Sequence, residues 1–299
     1  MSFKIHVLDL DFLGQKQVIA VFLVETPDGP ILIETGPYAT FKNLEKAVVE
    51  KGFQLKDIQH VFLTHIHLDH AGAAWAMADL GAHIYVHPLG AKHLIDPSKL
   101  MDSAKRIYQD QMDSLWGEMH AIPPNRVHEV AHEQAINIGD TTVKSWHTPG
   151  HAVHHIAWQL DQHLFAGDVA GIRIENGMVV PPCPPPDIHV EDWQHSLKII
   201  RDLTLTDMYL THFGKVTDIA PHLKALEENL LTWAHWVKPH FEAGKKPAEV
   251  VGTFQQFVRE ELIKNNVPQH LLGQYESANP AFMSVAGLMR YWKKKLQTT

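Results

Sequence analysis

Cysteine is nearly absent from this sequence of 299 residues, in which Cys183 is the only one. A single thiol cannot form an internal disulfide, and so little cysteine is typical of proteins from a reducing compartment. The shortage also excludes a zinc finger built from several cysteines. If the chain binds metal, its ligands must therefore be histidine and carboxylate side chains.

Long apolar runs and an excess of basic residues are also missing. No segment has 18 uninterrupted apolar residues, and residues 1–5 lead into a strand-like pattern without the apolar region of a signal peptide. The chain has 26 Lys and Arg against 34 Asp and Glu, a formal net charge of -8. This balance argues against nucleic acid or an anionic membrane as the main partner. We therefore expect a soluble, cytoplasmic protein with a small-molecule substrate, and its oligomeric state stays open.

Histidine is abundant, and the segment 64–70 concentrates it as Thr-His-Ile-His-Leu-Asp-His directly after an apolar run. In an extended chain, residues two apart project to one side, so His65 and His67 can bind one cation. The backbone then turns, so that Asp69 and His70 point in another direction and form a second pair of ligands. Because the chain has 23 His, neighbouring histidines alone are weak evidence for a metal site. Three imidazoles and a carboxylate in one turn are stronger evidence, because burying them without a cation is energetically unfavourable. The segment therefore predicts a site for two metals.

Apolar alternation and turn signals predict many short strands, followed by a part of the chain that is helical only. The predicted strands are 3–10, 17–24, 30–34, 58–64, 82–86, 126–130, 141–146, 154–160, 163–166 and 207–211. The predicted helices are 41–52, 71–80, 190–203, 219–240, 247–264 and 281–297. The change to helices alone predicts one domain over 1–217 and a second, helical region over 218–299.

Two segments interrupt the strand pattern. Residues 91–119 predict a mostly helical excursion broken near Pro97, and we interpret its apolar positions as core packing in preference to a lid over a substrate. Residues 181–186 contain five prolines around Cys183 and predict a stiff loop, because proline lacks an amide donor and restricts the residue before it.

Three further candidate ligands lie far from the 64–70 segment. His151 ends a Thr-Pro-Gly-His turn after strand 141–146, Asp168 follows Gly167 at another strand end, and His212 follows strand 207–211. Ligand sites collect at the carboxyl ends of strands in α/β sheets, so we expect all three to lie on one rim.

The complete pattern resembles the metallo-β-lactamase superfamily. The His-x-His-x-Asp-His loop, the Thr-Pro-Gly-His turn, the Gly-Asp carboxylate and the final histidine after a strand are present in that order, and the resemblance covers about residues 3–215. It implies an α/β (α+β) fold, a four-layer αββα sandwich over 1–217 that carries the active site. It also implies that the helical C-terminal region covers the substrate.

The resemblance also implies roles for single residues. It assigns His65, His67 and His151 to the first metal, Asp69, His70 and His212 to the second, and Asp168 as the bridge between them. The two divalent ions are expected to be zinc, with iron or manganese as alternatives. Glu34 stands where the family usually has an aspartate that supports the metal loop, and we expect the same role for it. His155, His147, His154, His87 and His83 are interpreted as structural, packing or surface residues.

Two divalent cations acidify a bridging water and so supply hydroxide at neutral pH. The resemblance therefore implies a hydrolase of esters, thioesters or lactones, similar to glyoxalase II, with Asp69 as the candidate catalytic proton acceptor. The alternatives are a lactonase, a β-lactam hydrolase, or an iron-dependent persulfide dioxygenase. The basic segment 290–295 could reach an acidic substrate, but we interpret it as a solvated helix end.

Overall fold

Two six-stranded sheets form the centre of the molecule in the computed structural model, which describes residues 3–297. The first sheet contains β1 (Lys4–Asp9), β2 (Ala20–Thr26), β3 (Gly29–Ile33), β4 (His60–Phe62), β5 (His83–Val86) and β6 (Val127–Glu129), in that order. Strands β1 to β3 form the predicted antiparallel meander, and β3 to β6 run parallel. The 64–70 segment therefore follows a parallel strand at its carboxyl end.

The second sheet is mostly antiparallel. It contains β7 (Ala135–Ile138), β8 (Thr141–His147), β9 (Ile156–Leu160), β10 (His163–Phe165), β11 (Asp207–Leu210) and β12 (Gly214–Val216). Only β10 and β11 pair in parallel among the described strands of this sheet. His151, Asp168 and His212 lie in the connections that follow β8, β10 and β11.

Helices cover the outer faces of both sheets. Before the second sheet the chain forms α1 (Phe41–Glu50), α2 (Leu68–Ala71), α3 (Ala74–Asp79), α4 (Pro88–Ile95), α5 (Ser98–Tyr108) and α6 (Met112–Leu115). Later it forms α7 (Val190–Arg201), α8 (Ile219–Glu242), α9 (Val251–Lys264), α10 (Leu272–Ala278) and α11 (Ala281–Gln297). The order of layers is helix, sheet, sheet, helix, which confirms the predicted αββα sandwich.

Side chains that alternate between the two faces of each strand hold the helix and sheet layers together. In β4, Val61 packs with the helices outside the first sheet, whereas its neighbour Phe62 packs between the sheets against Trp158 of β9, with ring centroids 5.1 Å apart. Successive side chains of a strand point to opposite faces, so both sides of this short strand are buried. The double burial fixes the end of β4, where the histidine segment begins.

The helices after Ile219 share one apolar cluster with the outer face of the second sheet. Trp233 of α8, Phe254 of α9 and Trp292 of α11 belong to the same cluster as Leu164 and Met208 of the sheet. The division at residues 217 and 218 stays a prediction. Within residues 3–297, no helix is both long and apolar enough to cross a membrane.

Most predicted elements are confirmed, but short ones were missed. The predictions lack β7, β12 and α10, which have four, three and seven residues. The predicted helix 71–80 is two short helices, α2 and α3, and α2 begins earlier and includes Asp69 and His70. Elements this short give too few residues for a periodic pattern to be recognised.

Candidate metal centre

The segment 63–67 connects both sheets as it leaves β4. The Thr64 carbonyl accepts a hydrogen bond from the Ile156 amide at 2.7 Å, and the Leu63 carbonyl accepts one from the buried Trp158 indole at 2.9 Å. Both donors belong to β9 of the second sheet. The histidines that follow are therefore presented from a backbone that is fixed on two sides.

His65, His67 and His151 form a group of donors that we call the first trio. Nδ1 of His67 lies 2.9 Å from Nε2 of His65 and 3.0 Å from Nε2 of His151. His65 and His151 are fully buried. Three imidazole nitrogens at these separations are an arrangement that suits a first-row transition metal ion.

Asp69, His70 and His212 form the second trio. Oδ2 of Asp69 lies 3.4 Å from Nε2 of His212 and 3.7 Å from Nε2 of His70. The members come from α2 and from the end of β11, which are far apart in the sequence. The structure thus brings together the same two sets of three residues that the resemblance assigned to two metals.

Asp168 lies between the two trios. Its Oδ2 is 3.3 Å from Nε2 of His151 in the first trio, and its Oδ1 is 3.3 Å from Nε2 of His70 and 3.5 Å from Nε2 of His212 in the second. One carboxylate oxygen therefore faces each trio. This is the position that the predicted bridging role requires.

Gly167 allows Asp168 to approach so closely. A Cβ atom at Gly167 would lie 2.6 Å from the Thr64 hydroxyl and 2.8 Å from Nε2 of His155, and its φ of +50° is a conformation that other residues rarely adopt. The Gly-Asp pair in the sequence thus reflects the contact between this turn and the histidine segment.

Backbone carbonyls orient two of the histidines from behind. Nδ1 of His151 donates to the Pro182 carbonyl at 2.9 Å, and Nδ1 of His212 donates to the Val18 carbonyl at 2.6 Å. Because a carbonyl oxygen only accepts, the ring hydrogen must lie on Nδ1 in both residues. Nε2 in the neutral ring then presents a lone pair to the centre, as metal-binding histidines do.

Glu34 holds two further histidines in the same way. Its carboxylate accepts from the Thr64 amide at 3.1 Å, from the Thr64 hydroxyl, and from Nδ1 of His70 at 3.0 Å. The same hydroxyl accepts from Nδ1 of His65 at 3.0 Å. Glu34 is fully buried and has a φ of +67°, an uncommon conformation outside glycine.

Glu34 also lies near enough to His65 and His70 to be considered as a ligand, with donor atoms within 4.8 Å of one another. Its oxygens already accept three hydrogen bonds from the loop and from His70. We therefore interpret Glu34 as the support of the metal loop, the role expected from its place in the sequence pattern.

Burial and the carboxylates determine the charges of the centre. Burial alone lowers the pKa of His70, but the negative charges of Asp168 and Asp69 outweigh it and hold this pKa well above its usual value. Burial dominates at His151 and lowers its pKa to about 4. For Asp69, burial raises the carboxyl pKa, but His70 and His212 outweigh it and lower the value to about 2. Without metal, the centre thus combines a neutral His151 with a His70 ring that favours its protonated form beside ionised carboxylates, and a bound cation would take the place of that proton.

Three buried polar atoms of the centre have no hydrogen-bond partner within residues 3–297, namely Nε2 of His70, Nε2 of His212 and Oδ1 of Asp168. An unpaired buried polar atom costs roughly 1–3 kcal/mol, so three of them around one point are costly without a cation that binds them together. The donor set therefore fits divalent metal ions, and its nitrogen and oxygen atoms suit zinc, iron or manganese.

The other histidines near the centre differ in their surroundings. His155 accepts a hydrogen bond from the Val169 amide at 3.4 Å, consistent with the predicted structural role. His87 stacks on His147 with ring centroids 4.2 Å apart, which is the predicted packing. His154 was also predicted as a packing or surface residue, but it is buried and lines the cavity described next.

A cavity of about 620 Å³ opens above the metal centre, and His67, Asp69, Asp168 and His212 lie on its wall. Helices α5 and α6 contribute Leu100, Ala104, Ile107, Tyr108 and Leu115 to the wall, and Trp116 follows α6 directly. The end of α10, the loop after it and the first turn of α11 contribute Ala278, Pro280, Phe282 and Met283. Lys92, His93 and Lys99 add basic groups to a wall that is otherwise mainly apolar.

The expected core packing of residues 91–119 is only part of their role. Met112 is buried in the core outside the first sheet, as predicted. Tyr108, Leu115 and Trp116 pack against the same core and also line the cavity, and Ile107 lines the cavity. Residues that pack in a core and residues that line an apolar cavity are of the same types, so the sequence shows a single apolar stripe and does not distinguish them.

The basic segment 290–295 does not point to the cavity. The Arg290 guanidinium and the Lys294 ammonium donate to the Pro186 carbonyl at 3.1 and 2.9 Å, and Lys295 pairs with Glu191. These cations attach α11 to the proline-rich loop and to α7, and all three are exposed to solvent, in keeping with the expected solvated helix end.

The comparisons with known proteins agree with this centre. A sequence model described as the metallo-beta-lactamase superfamily matches residues 16–212. The metallo-beta-lactamase fold-containing protein ST1585 of Sulfurisphaera tokodaii is 30% identical over 180 residues, which are 59% of this chain and 66% of that protein. Thioesterase pkgB of Emericella nidulans is 32% identical over 160 residues, which are 52% of this chain and 36% of that protein. The chain thus spans less than two thirds of either relative.

Two solved structures show the same fold. The structure of ST1585 from Sulfolobus tokodaii has a TM-score of 0.62 at 25% identity and covers 77% of this chain and 85% of its own. A metallo-beta-lactamase family protein from Thermus thermophilus has a TM-score of 0.69 at 19% identity and covers 97% of this chain and 93% of its own. Because the family model matches more than half of the residues, and because the fold agrees, the chain belongs to the metallo-β-lactamase superfamily.

Proposed function

We propose that this chain is a metal-dependent hydrolase with a dinuclear centre that cleaves an ester, thioester or lactone with an apolar acyl part. The observation that carries the proposal is the position of both trios and Asp168 at the wall of a mainly apolar cavity. When bound there, two divalent ions would acidify water and polarise the oxygen of the scissile group. The donor set supports zinc as the first choice.

The protein's own residues supply orientation and proton acceptance. The hydrogen bonds from His151 and His212 to carbonyls, and from His70 to Glu34, keep the Nε2 lone pairs directed at the centre. The Asp69 side chain is 21% exposed and lines the cavity. This position supports the proposed role of Asp69 as a proton acceptor beside the scissile bond.

The cavity wall narrows the range of substrates. A glutathione thioester carries two carboxylates and an ammonium, which would be desolvated against the apolar wall at considerable cost. The cations of α11 that could have bound such charges are engaged with Pro186 and Glu191. The two lysines of the cavity wall, Lys92 and Lys99, are exposed to solvent, where an ion pair with a substrate carboxylate contributes little. We therefore place apolar acyl substrates ahead of the glutathione thioester of glyoxalase II, and the relative named a thioesterase is in keeping with this choice.

Hydrolysis of matched substrates tests the proposal. We expect the zinc-loaded protein to cleave 4-nitrophenyl hexanoate, a hexanoyl thioester or a six-carbon lactone at least about tenfold more efficiently than S-lactoylglutathione, because charged groups bind poorly to an apolar wall. Removal of metal with a chelator should abolish the activity, and added zinc should restore it. Full activity in protein shown by elemental analysis to be metal-free would contradict the proposal, as would a preference for the glutathione thioester.

A further inference from the structure

His154 lies on the cavity wall beside the first trio. Its side chain is buried, and its ring centroid is 6.0 Å from that of His67 and 6.1 Å from that of His65. It belongs to neither trio. It lines the cavity together with His67 and Asp69, so a substrate bound at the first trio would lie close to this imidazole.

The two ring nitrogens of His154 are not used inside the protein. Nδ1 is fully buried and has no hydrogen-bond partner among the described residues. Nε2 is not one of the buried unpaired atoms, and no described residue binds it, which leaves it facing the cavity. His155, the next residue, differs, because its nitrogens contact the Thr148 hydroxyl at 2.9 Å and the Val169 amide at 3.4 Å.

The surroundings favour one position for the ring hydrogen. An imidazole always carries at least one N–H group, and a buried N–H without an acceptor is rarer than a buried acceptor without a donor. The hydrogen of His154 is therefore better placed on Nε2 than on the enclosed Nδ1. This makes His154 a hydrogen-bond donor that points into the cavity and has no partner among the described residues.

We propose that His154 binds the substrate by donating a hydrogen bond from Nε2 to the carbonyl oxygen of the ester, thioester or lactone. The inference rests on the proposed function, since all three substrate classes share this oxygen. The oxygen gains negative charge as the carbonyl is attacked, so a donor aimed at it strengthens its bond in the transition state. The carboxylate product has an oxygen at the same position, and this oxygen accepts the same hydrogen bond from Nε2 of His154.

Three variants of the zinc-loaded protein test the inference. His154→Phe keeps an aromatic ring of similar size without a donor, and His154→Gln keeps a donor. His195→Phe is the control, because His195 is exposed on α7 and is not part of the cavity wall. The readouts are kcat and KM for 4-nitrophenyl hexanoate, the affinity for hexanoate by calorimetry, and zinc content.

We expect His154→Phe to lower kcat at least about tenfold with little change in KM or zinc content, because it removes a donor to a developing oxyanion. Hexanoate should bind about five- to tenfold more weakly, the size of one lost hydrogen bond. His154→Gln should recover most of both losses, and the His195→Phe control should match the wild type.

Two results would overturn the inference. One is that the wild type and His154→Phe bind hexanoate with the same affinity, whether that affinity is high or low. The other is an equal loss in His154→Phe and His154→Gln, which would indicate a packing role only. A wild type that cleaves none of the esters would refute the proposed function, while the ratio of hexanoate affinities would still decide the role of His154.

Discussion

Replacing Asp168 with asparagine is expected to reduce kcat/KM at least about a hundredfold and to lower the amount of metal bound per chain. Loss of a residue that only supports a metal ligand typically costs about 10- to 100-fold, and Asp168 faces both trios at 3.3 to 3.5 Å. An amide has the same shape as the carboxylate but lacks its charge and one acceptor. Activity and elemental analysis of the purified variant measure both effects.

Asp207→Asn is a matched control for this variant. Asp207 is as buried as Asp168, and its carboxylate contacts His163 at 2.6 Å and Lys215 at 2.7 Å, away from the cavity. Its replacement should lower thermal stability and leave kcat/KM and metal content at wild-type levels. If Asp168→Asn also retained full metal and activity, the bridging role of Asp168 would be refuted.

The second large effect is expected for Glu34→Gln. The amide group of glutamine must place either its oxygen or its NH2 group against His70, whereas the carboxylate of Glu34 accepts from His70 and from Thr64 at once. An NH2 group facing Nδ1 of His70 would move the ring hydrogen to Nε2 and remove the lone pair from the second trio. We expect about 10- to 100-fold weaker binding of the second metal.

Stability of the metal-free protein separates the two effects of Glu34→Gln. Leaving a buried donor without its acceptor costs about 1–3 kcal/mol, so urea unfolding of metal-free protein should show a loss of that size. Zinc titration of the same samples measures the change in affinity. A variant that is less stable but binds both metals as tightly as the wild type would show that Glu34 does not set the orientation of His70.

The histidine segment was predictable because its information is local. The spacing of His65, His67, Asp69 and His70 after an apolar strand end indicated two pairs of ligands without any knowledge of the fold. The three remote residues of the predicted set were each placed at a strand end, and the structure places those ends on one side of the centre. Their grouping into trios came from the resemblance, because a linear pattern does not show which strand ends face each other.

Other parts of the centre give no signal in the sequence. The acceptors behind His151 and His212 are the backbone carbonyls of Pro182 and Val18, and any residue type provides such an oxygen. His154 was one histidine among 23, and only its burial, its unused nitrogens and its place on the cavity wall distinguish it. Its neighbour His155 has the same side chain and a structural role.

The apolar stripe of α5 and α6 shows the same limit. Met112 and Tyr108 lie four positions apart in one amphipathic pattern and contact the same core, yet only Tyr108 also borders the cavity. Periodicity identifies the face of a helix that avoids water but not what covers that face.

The central claim is that two metal ions and the residues of both trios act together, and the most direct test is the titration of metal-free protein with zinc while ester hydrolysis and bound zinc are measured. We predict that bound zinc approaches two ions per chain and that full activity requires the second equivalent. Full activity at one ion per chain, with no change on adding a second, would contradict the dinuclear centre.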